Sequence, residues 1–252
     1  MTDIIMHGAS GAMGQMIIKI VSEDPDARIV AGVDINTDVN YDFPMFKSIS
    51  ECDVKADAII DFSHVSCVDG LLSFCEEKKM PVVLCTTGLS DEQLSHVKSA
   101  SEKTAVLKSA NMSLGINLLQ KLLKEAAGTL ADAGFDIEIV EKHHRRKLDS
   151  PSGTALALAD SVQEGLSEKY EYVFDRSGRR EKRPKTEIGI SAVRGGTIVG
   201  DHDVIFAGED EVITFSHRAY SRAVFAKGAV SAAKFLKGRG AGLYDMSDVI
   251  GQ

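Results

Sequence analysis

The sequence predicts an α/β protein whose first hundred residues form a parallel sheet covered by helices on both faces. Three observations predict it. Short runs that are β-branched or apolar throughout recur along this region, amphipathic segments lie between most of them, and a glycine-rich turn joins the first run to the first helical segment. Strands apolar on both faces belong to buried parallel sheets, because half-exposed strands alternate instead.

Strands are expected at Asp3–His7, Arg28–Asp34, Asp57–Phe62, Pro81–Cys85 and Thr104–Ser109, with helices such as Met13–Glu23 and Cys67–Lys79 between them. After Asn111 the rhythm changes. Ser113–Asp132 carries leucines at three- and four-residue spacing, the mark of a helix with one apolar face. A strand at Phe135–His143 and a helix at Thr154–Leu166 follow, then a polar basic stretch from Arg176 to Lys185. Runs at Glu187–Val193, Thr197–Gly208 and Asp210–His217 succeed one another through short turns, which predicts a mixed or antiparallel sheet. The last helical run, Ser221–Gly238, is suited to pack back on the first domain. Two domains are expected: residues 1–111 with 222–252, and residues 112–221.

At 252 residues and 44% hydrophobic, the chain can build two modest cores. It has no run of about 18 apolar residues, so no membrane span is expected. The opening MTDIIMHGAS has neither the basic nor the apolar region of a secretory signal. Cys52, Cys67, Cys75 and Cys85 form no CxxC pair, so reduced thiols in the cytoplasm and no metal site are expected. A formal net charge of -8 argues against nucleic acid as a partner. An anionic ligand would need a locally basic site.

Gly8, Gly11 and Gly14 stand between the first strand and the first helix. Glycine permits a tight turn and close approach of backbone N–H groups to a pyrophosphate, at which the following helix aims its positive end. The second strand ends in Asp34, twenty residues after Gly14, where an acid binds ribose hydroxyls. The GxxGxxG spacing alone also suits plain helix–strand packing. Strand, loop, helix, strand and terminal acid together favour a dinucleotide. Asp61–His64, Cys85–Gly88 and Ser109–Ser113 each follow a strand, where such sheets bind ligands. Singly, each reads as a loop or helix cap.

Glu138 to Ala155 packs two histidines, four Lys or Arg and three carboxylates into eighteen residues. Strand alternation places Glu141 and His143 on one face and Lys142 and His144 on the other. Arg145, Arg146 and Lys147 follow, and Ser150–Ala155 is expected to open a helix, whose first N–H groups around Gly153 and Thr154 have no acceptor within the helix itself. A helix start beside histidines and a lysine suits a small carboxylate-bearing molecule, and His or Lys can donate a proton to a reduced product. A solvated basic turn before a capped helix is the plainer alternative.

Glu138–His143, Lys147, Asp149 and Pro151–Ala155 resemble the dihydrodipicolinate reductase (4-hydroxy-tetrahydrodipicolinate reductase) family. So do the glycine loop with Met13, IDFSH, the TTG turn, ANMSLG, VRGGTIVGDHDV and SRAVFAKGA, and the resemblance spans essentially the whole chain. It implies a Rossmann dinucleotide-binding domain and an α+β substrate domain that also assembles a homotetramer. It implies NAD(P)H-dependent reduction of 4-hydroxy-tetrahydrodipicolinate to tetrahydrodipicolinate in the diaminopimelate route to lysine. His143 matches the proton donor/acceptor and Lys147 the proton donor, while His144, Gly153 and Thr154 match groups holding the substrate's carboxylates. Gly8, Ala9, Ser10, Gly11, Ala12, Met13, Asp34, Cys85, Thr86, Thr87, Ser109, Ala110, Asn111 and Met112 match the cofactor side. Two departures are Cys85, where many members have Gly or Ala, and Ala12, where some carry arginine.

After Asp34 come Ile35, Asn36 and Thr37, with no cation for a 2′-phosphate. Lys19 and Lys47 are the nearest basic residues in sequence, and neither is well placed by sequence. The family resemblance implies use of both NADH and NADPH, as in many relatives, and the missing cation leans the expectation to NADH. Other readings are a Rossmann reductase acting on another imino acid and a non-catalytic dinucleotide sensor. Two domains carrying the reacting groups are expected to close on each other about hinges near Ser109–Leu114 and Tyr220–Arg222.

Overall fold

A computed structural model describes residues 1–251. In chain order the elements are β1 (Thr2–His7), α1 (Ala12–Ser22), β2 (Ala27–Val33), β3 (Met45–Phe46), β4 (Ala58–Asp61), α2 (Val68–Lys78), β5 (Val82–Leu84), α3 (Asp91–Ser101) and β6 (Ala105–Leu107). Then come α4 (Leu114–Asp132), β7 (Asp136–His143), α5 (Gly153–Glu164), β8 (Glu171–Val173), β9 (Glu187–Arg194), β10 (Gly200–Ala207) and β11 (Val212–Ala219). The chain closes with α6 (Ala223–Leu236), β12 (Gly242–Tyr244) and α7 (Met246–Ile250). It forms two compact units, Met1–Leu114 with the residues from Ala223 on, and Gly115–Arg222.

The first unit holds a seven-stranded sheet in the order β12-β6-β5-β4-β1-β2-β3, every pair parallel. Its strands are buried on both faces, and successive residues feed two separate cores. Ile4, Met6, Ile60, Val83 and Leu107 pack with Ile17 of α1 and Ala229 and Ala233 of α6. Ile5, Ile59, Val82, Leu84 and Val106 pack with Leu71, Leu72 and Cys75 of α2 and with Val97 and Ala100 of α3. This two-sided burial is why the strands read as unbroken apolar runs. Ser90 and Gln93 close a reciprocal cap on α3.

The second unit has a five-stranded mixed sheet, β11-β10-β7-β9-β8, in which β7 runs antiparallel to β10 and parallel to β9. One face packs Ile137, Ile139, Ile188, Ile190, Val204 and Phe206 against Leu119 and Leu123 of α4 and Leu158 and Val162 of α5. The same inward rows turn polar at one end. On β7, Ile137 and Ile139 give way to Glu141 and His143, and on β10, Phe206 and Val204 give way to His202. Glu141, His202 and His217 are register partners on neighbouring strands. Cross-strand partners share a face, so alternation gathers these groups at one spot.

Candidate active site

In the first unit, all strands being parallel, every C-terminal end lies on one edge. The glycine turn follows β1, Asp34 follows β2, Lys47 follows β3, and Asp61–His64 close and follow β4. The sheet order reverses at β1, flanked by β2 and β4, which is where open α/β sheets take ligands. Gly8 has φ +84, and a Cβ there would sit 2.6 Å from the Phe62 carbonyl oxygen, so only glycine fits. A Cβ on Gly14 would meet the Ala9 carbonyl oxygen at 2.8 Å, so this glycine lets α1 approach the turn. Gly11 begins α1 without a side-chain cap, which leaves backbone N–H groups at the helix start for an anion.

Asp34 is half-buried and braces this turn. Its Oδ2 accepts from Ser10 N–H at 3.0 Å and its Oδ1 from Asn36 N–H at 3.0 Å. Each oxygen keeps a lone pair for a further donor. A cavity of about 450 Å³ opens here, lined by His7, Gly8, Gly11, Asp34, Lys47 and Phe62 among others. The residues present fit a dinucleotide: close backbone approach, an uncapped helix start and a carboxylate beside them.

Several predicted cofactor residues face inward. Ala9 is fully buried, and Met112 lies in the core beneath α6 with its carbonyl against Gly228, so neither side chain is open to a ligand. Gly11, Ala12, Thr87 and Ala110 are exposed, while Ser10, Met13, Cys85, Ser109 and Asn111 are half-buried. Burial pushes the Cys85 thiol well above its usual range, so it is no thiolate nucleophile. Thr86 donates its hydroxyl to Asp61 Oδ2 at 2.6 Å. Asp61, wholly buried, also holds His7 Nδ1 at 2.7 Å on Oδ1. Burial works to raise the Asp61 carboxyl, but His7, Ser63 and Thr86 together hold it below its ordinary value. Asp61 therefore ties β1, β4 and the loop after β5 into one floor beneath the turn.

In the second unit, Glu141 is the hub. Its carboxylate is fully buried and accepts four hydrogen bonds: Arg194 Nη1 at 2.7 Å and Nη2 at 2.6 Å, His143 Nδ1 at 2.6 Å, and Ser152 N–H at 2.9 Å. Burial opposes its ionisation, and these donors overcome that and hold it below the usual carboxylate range. An ionised Glu141 only accepts, so His143 carries its proton on Nδ1, which leaves Nε2 as its accepting nitrogen.

Ser152 joins this hub to the helix start. Its hydroxyl accepts from Ala155 N–H at 3.1 Å as the cap of α5 and lies 3.1 Å from His202 Nε2. Burial first, then nearby His143, pushes His202 down to about 4, so it is neutral at ordinary pH. Gly153 opens α5 with nothing within 4 Å of where a Cβ would stand. Lys147 is half-buried with its ammonium 2.8 Å from Asp149, whereas Arg145 and Arg146 are exposed. His144 is half-buried, and its Nδ1 has no partner among the described residues. Lys142 points to the opposite face and pairs with Asp203 at 2.9 Å, as alternation expects.

Sequence reading gathered His143, His144, Lys147, Gly153 and Thr154 into one segment, and β7, the turn and the start of α5 carry them. It assigned no role to Arg194 or His202, and it took Asp61 only as the start of a segment at a ligand-binding strand end. The one available signal for Arg194 is the inward position of Glu141, since a buried carboxylate needs a cation.

The family model described as "Dihydrodipicolinate reductase, N-terminus" matches residues 2–112, and "Dihydrodipicolinate reductase, C-terminus" matches residues 115–250. The chain is 53% identical over 250 residues to a 4-hydroxy-tetrahydrodipicolinate reductase of Caldanaerobacter subterraneus subsp. tengcongensis, covering 99% of this chain and 98% of that protein. It is 50% identical to the Clostridium tetani protein of the same name, covering 98% and 96%. The solved dipicolinate-bound dihydrodipicolinate reductase from Paenisporosarcina sp. TG-14 superposes with a TM-score of 0.80 at 27% identity, covering 97% of each chain. The chain belongs to the dihydrodipicolinate reductase family of oxidoreductases.

Proposed function

We propose that this protein reduces 4-hydroxy-tetrahydrodipicolinate to tetrahydrodipicolinate with NADH or NADPH, in the diaminopimelate route to lysine. The observation that carries the reading is the Glu141–His143 pair joined through Ser152 to the start of α5, in the segment that holds the basic turn. The substrate's 4-hydroxyl departs as water to leave a conjugated ring imine, and a reduced nicotinamide bound on the glycine turn would supply the hydride to that ring. Backbone N–H groups at the start of α1 bind its phosphates, with Gly8 leaving room for their approach, and Asp34 accepts from its ribose hydroxyls. Gly153, Thr154 and His144 hold the two substrate carboxylates, which accounts for concentrated positive charge in an acidic chain. Lys147 delivers the proton that the reduced ring needs, with His143 as proton donor/acceptor beside it, oriented by Glu141 through Nδ1. Both nicotinamide cofactors serve, leaning to NADH, because Asp34 accepts hydroxyls and repels a phosphate.

Assembly as a homotetramer belongs to the same proposal, supported by the half-exposed outer face of the mixed sheet, where Val140, Ile205 and Ala207 lie. The protein acts on a small dicarboxylate in the cytoplasm, with neither nucleic acid nor membrane as partner. Among the described residues, no helix is long and apolar enough to cross a membrane.

The test is oxidation of NADH with substrate made in situ from pyruvate and aspartate semialdehyde by the preceding enzyme. Turnover that requires both precursors supports the proposal. Tight dinucleotide binding without turnover would make the protein a sensor.

A further inference from the structure

We infer that Lys47 is the residue that admits the 2′-phosphorylated dinucleotide. This deepens the dinucleotide reading above and rests on it. The chain offers no cation directly after Asp34, and the glycine turn carries Ala12, so a 2′-phosphate must be met from elsewhere. The structure supplies the place. β3 adds to the edge of the sheet beside β2, with Gly32 paired to Met45 and Val33 to Phe46. Asp34 N–H then donates to the Phe46 carbonyl at 3.0 Å, which sets Lys47 in the next position alongside Asp34. Both residues line the same cavity as Gly8 and Gly11.

Lys47 is exposed, and its ammonium forms no ion pair among the described residues. Three other cations of this unit, Lys19, Arg28 and Lys108, are badly placed. Lys19 sits in the last turn of α1, roughly 12 Å along the helix from Gly11 at 1.5 Å per residue. Arg28 lies at the start of β2, on the opposite edge of the sheet, and is paired with Asp3 at 2.7 Å. Lys108 follows β6, four strands away from β2 and so roughly 19 Å across the sheet. Of these, Lys47 alone has the edge, the register and the free charge.

The pairing has a chemical consequence. Asp34 repels a group of about -1.5 to -2 charge, and Lys47 offsets that repulsion without contributing to a ribose that carries only hydroxyls. A lysine is a flexible point charge, so it tolerates either cofactor, where an arginine fork would commit to the phosphate. Lys47 therefore sets the ratio between the two cofactors, and NADPH binding responds to salt more steeply than NADH binding.

The experiment measures Kd for NADH and for NADPH, by calorimetry on the full chain, for wild type, Lys47→Ala and Lys47→Arg. Lys47→Ala is expected to weaken NADPH about tenfold or more and to leave NADH within about twofold, with Lys47→Arg retaining NADPH. Equal changes for both cofactors, or none, overturn the inference while the dinucleotide reading stands. A wild type that binds neither cofactor overturns the dinucleotide reading itself, and the inference with it.

Discussion

His143 Nδ1 lies 2.6 Å from Oε2 of Glu141, and Arg194 grips the same carboxylate through both terminal nitrogens. The carboxylate fixes the imidazole's tautomer, and the guanidinium keeps the carboxylate charged inside the protein. Glu141 thus works through His143 as a positioning residue. Glu141→Gln leaves the Arg194 charge without its counter-ion and replaces one of the two accepting oxygens with an NH2 donor facing other donors. Stability is expected to fall by about 3 kcal/mol or less, the lower end for breaking a buried pair because Arg194 retains some exposure. The double variant Glu141→Gln/Arg194→Met should recover much of that stability but not kcat. Urea unfolding and steady-state rates together test this, and full recovery of kcat would show the pair to be structural only.

Lys147→Ala should cut kcat by about 10²–10⁴-fold, the usual scale for removing a general acid. Its ammonium bonds to exposed Asp149 and not to the buried hub, so folding should be little affected. Dinucleotide Kd should hardly change. A variant turning over at a near-normal rate would remove Lys147 from the proton transfer.

Gly153→Val tests the anion site at the start of α5. The space around a Cβ here is open, so the variant should fold with Tm close to wild type. A bulky side chain at this position blocks approach to the backbone N–H groups, so KM for the dicarboxylate should rise strongly while cofactor Kd stays put. An unchanged KM would contradict the assignment.

Much of this was legible in the chain. β1, β4, β5 and β6 announce themselves because burial on both faces makes each an unbroken apolar run. Glu141 and His143 were placed on one face by alternation alone. The elements that escaped are those with little local pattern: β3, β8 and β12 are two or three residues long, α7 is five, and α3 is largely polar. Arg194 and His202 escaped for a different reason. Their partners lie 53 and 50 residues away in sequence, and pairing across β9, β7 and β10 leaves no periodic trace. The cofactor side shows a third limit, since the family resemblance marks Ala9 and Met112 without revealing that both side chains belong to the core.

Acid stability should depend on His202. The unfolded chain protonates this histidine near 6.5, whereas the folded chain does so only near about 4. Within that window the unfolded state binds the extra proton, so stability falls as pH drops from 6.5 towards 4. Full passage through it corresponds to roughly 3 kcal/mol at most. Glu141, whose carboxyl is depressed, adds stability that is lost only as pH falls below the ordinary carboxylate range. His202→Gln should flatten the upper part of this dependence when unfolding free energies at about pH 7 and about pH 4.5 are compared. An unchanged slope would mean that His202 is not the group responsible.

Hydride transfer to a cyclic imino dicarboxylate is the centre of the account, and isotope transfer tests it most directly. Reduced nicotinamide dinucleotide deuterated at the transferring C4 position is supplied with substrate made in situ in ordinary water, and the product is examined by mass spectrometry. The account expects tetrahydrodipicolinate carrying one deuterium on a ring carbon, formed at a rate that collapses in Lys147→Ala. Tetrahydrodipicolinate without the label, or oxidation of the dinucleotide with no such product, would contradict it.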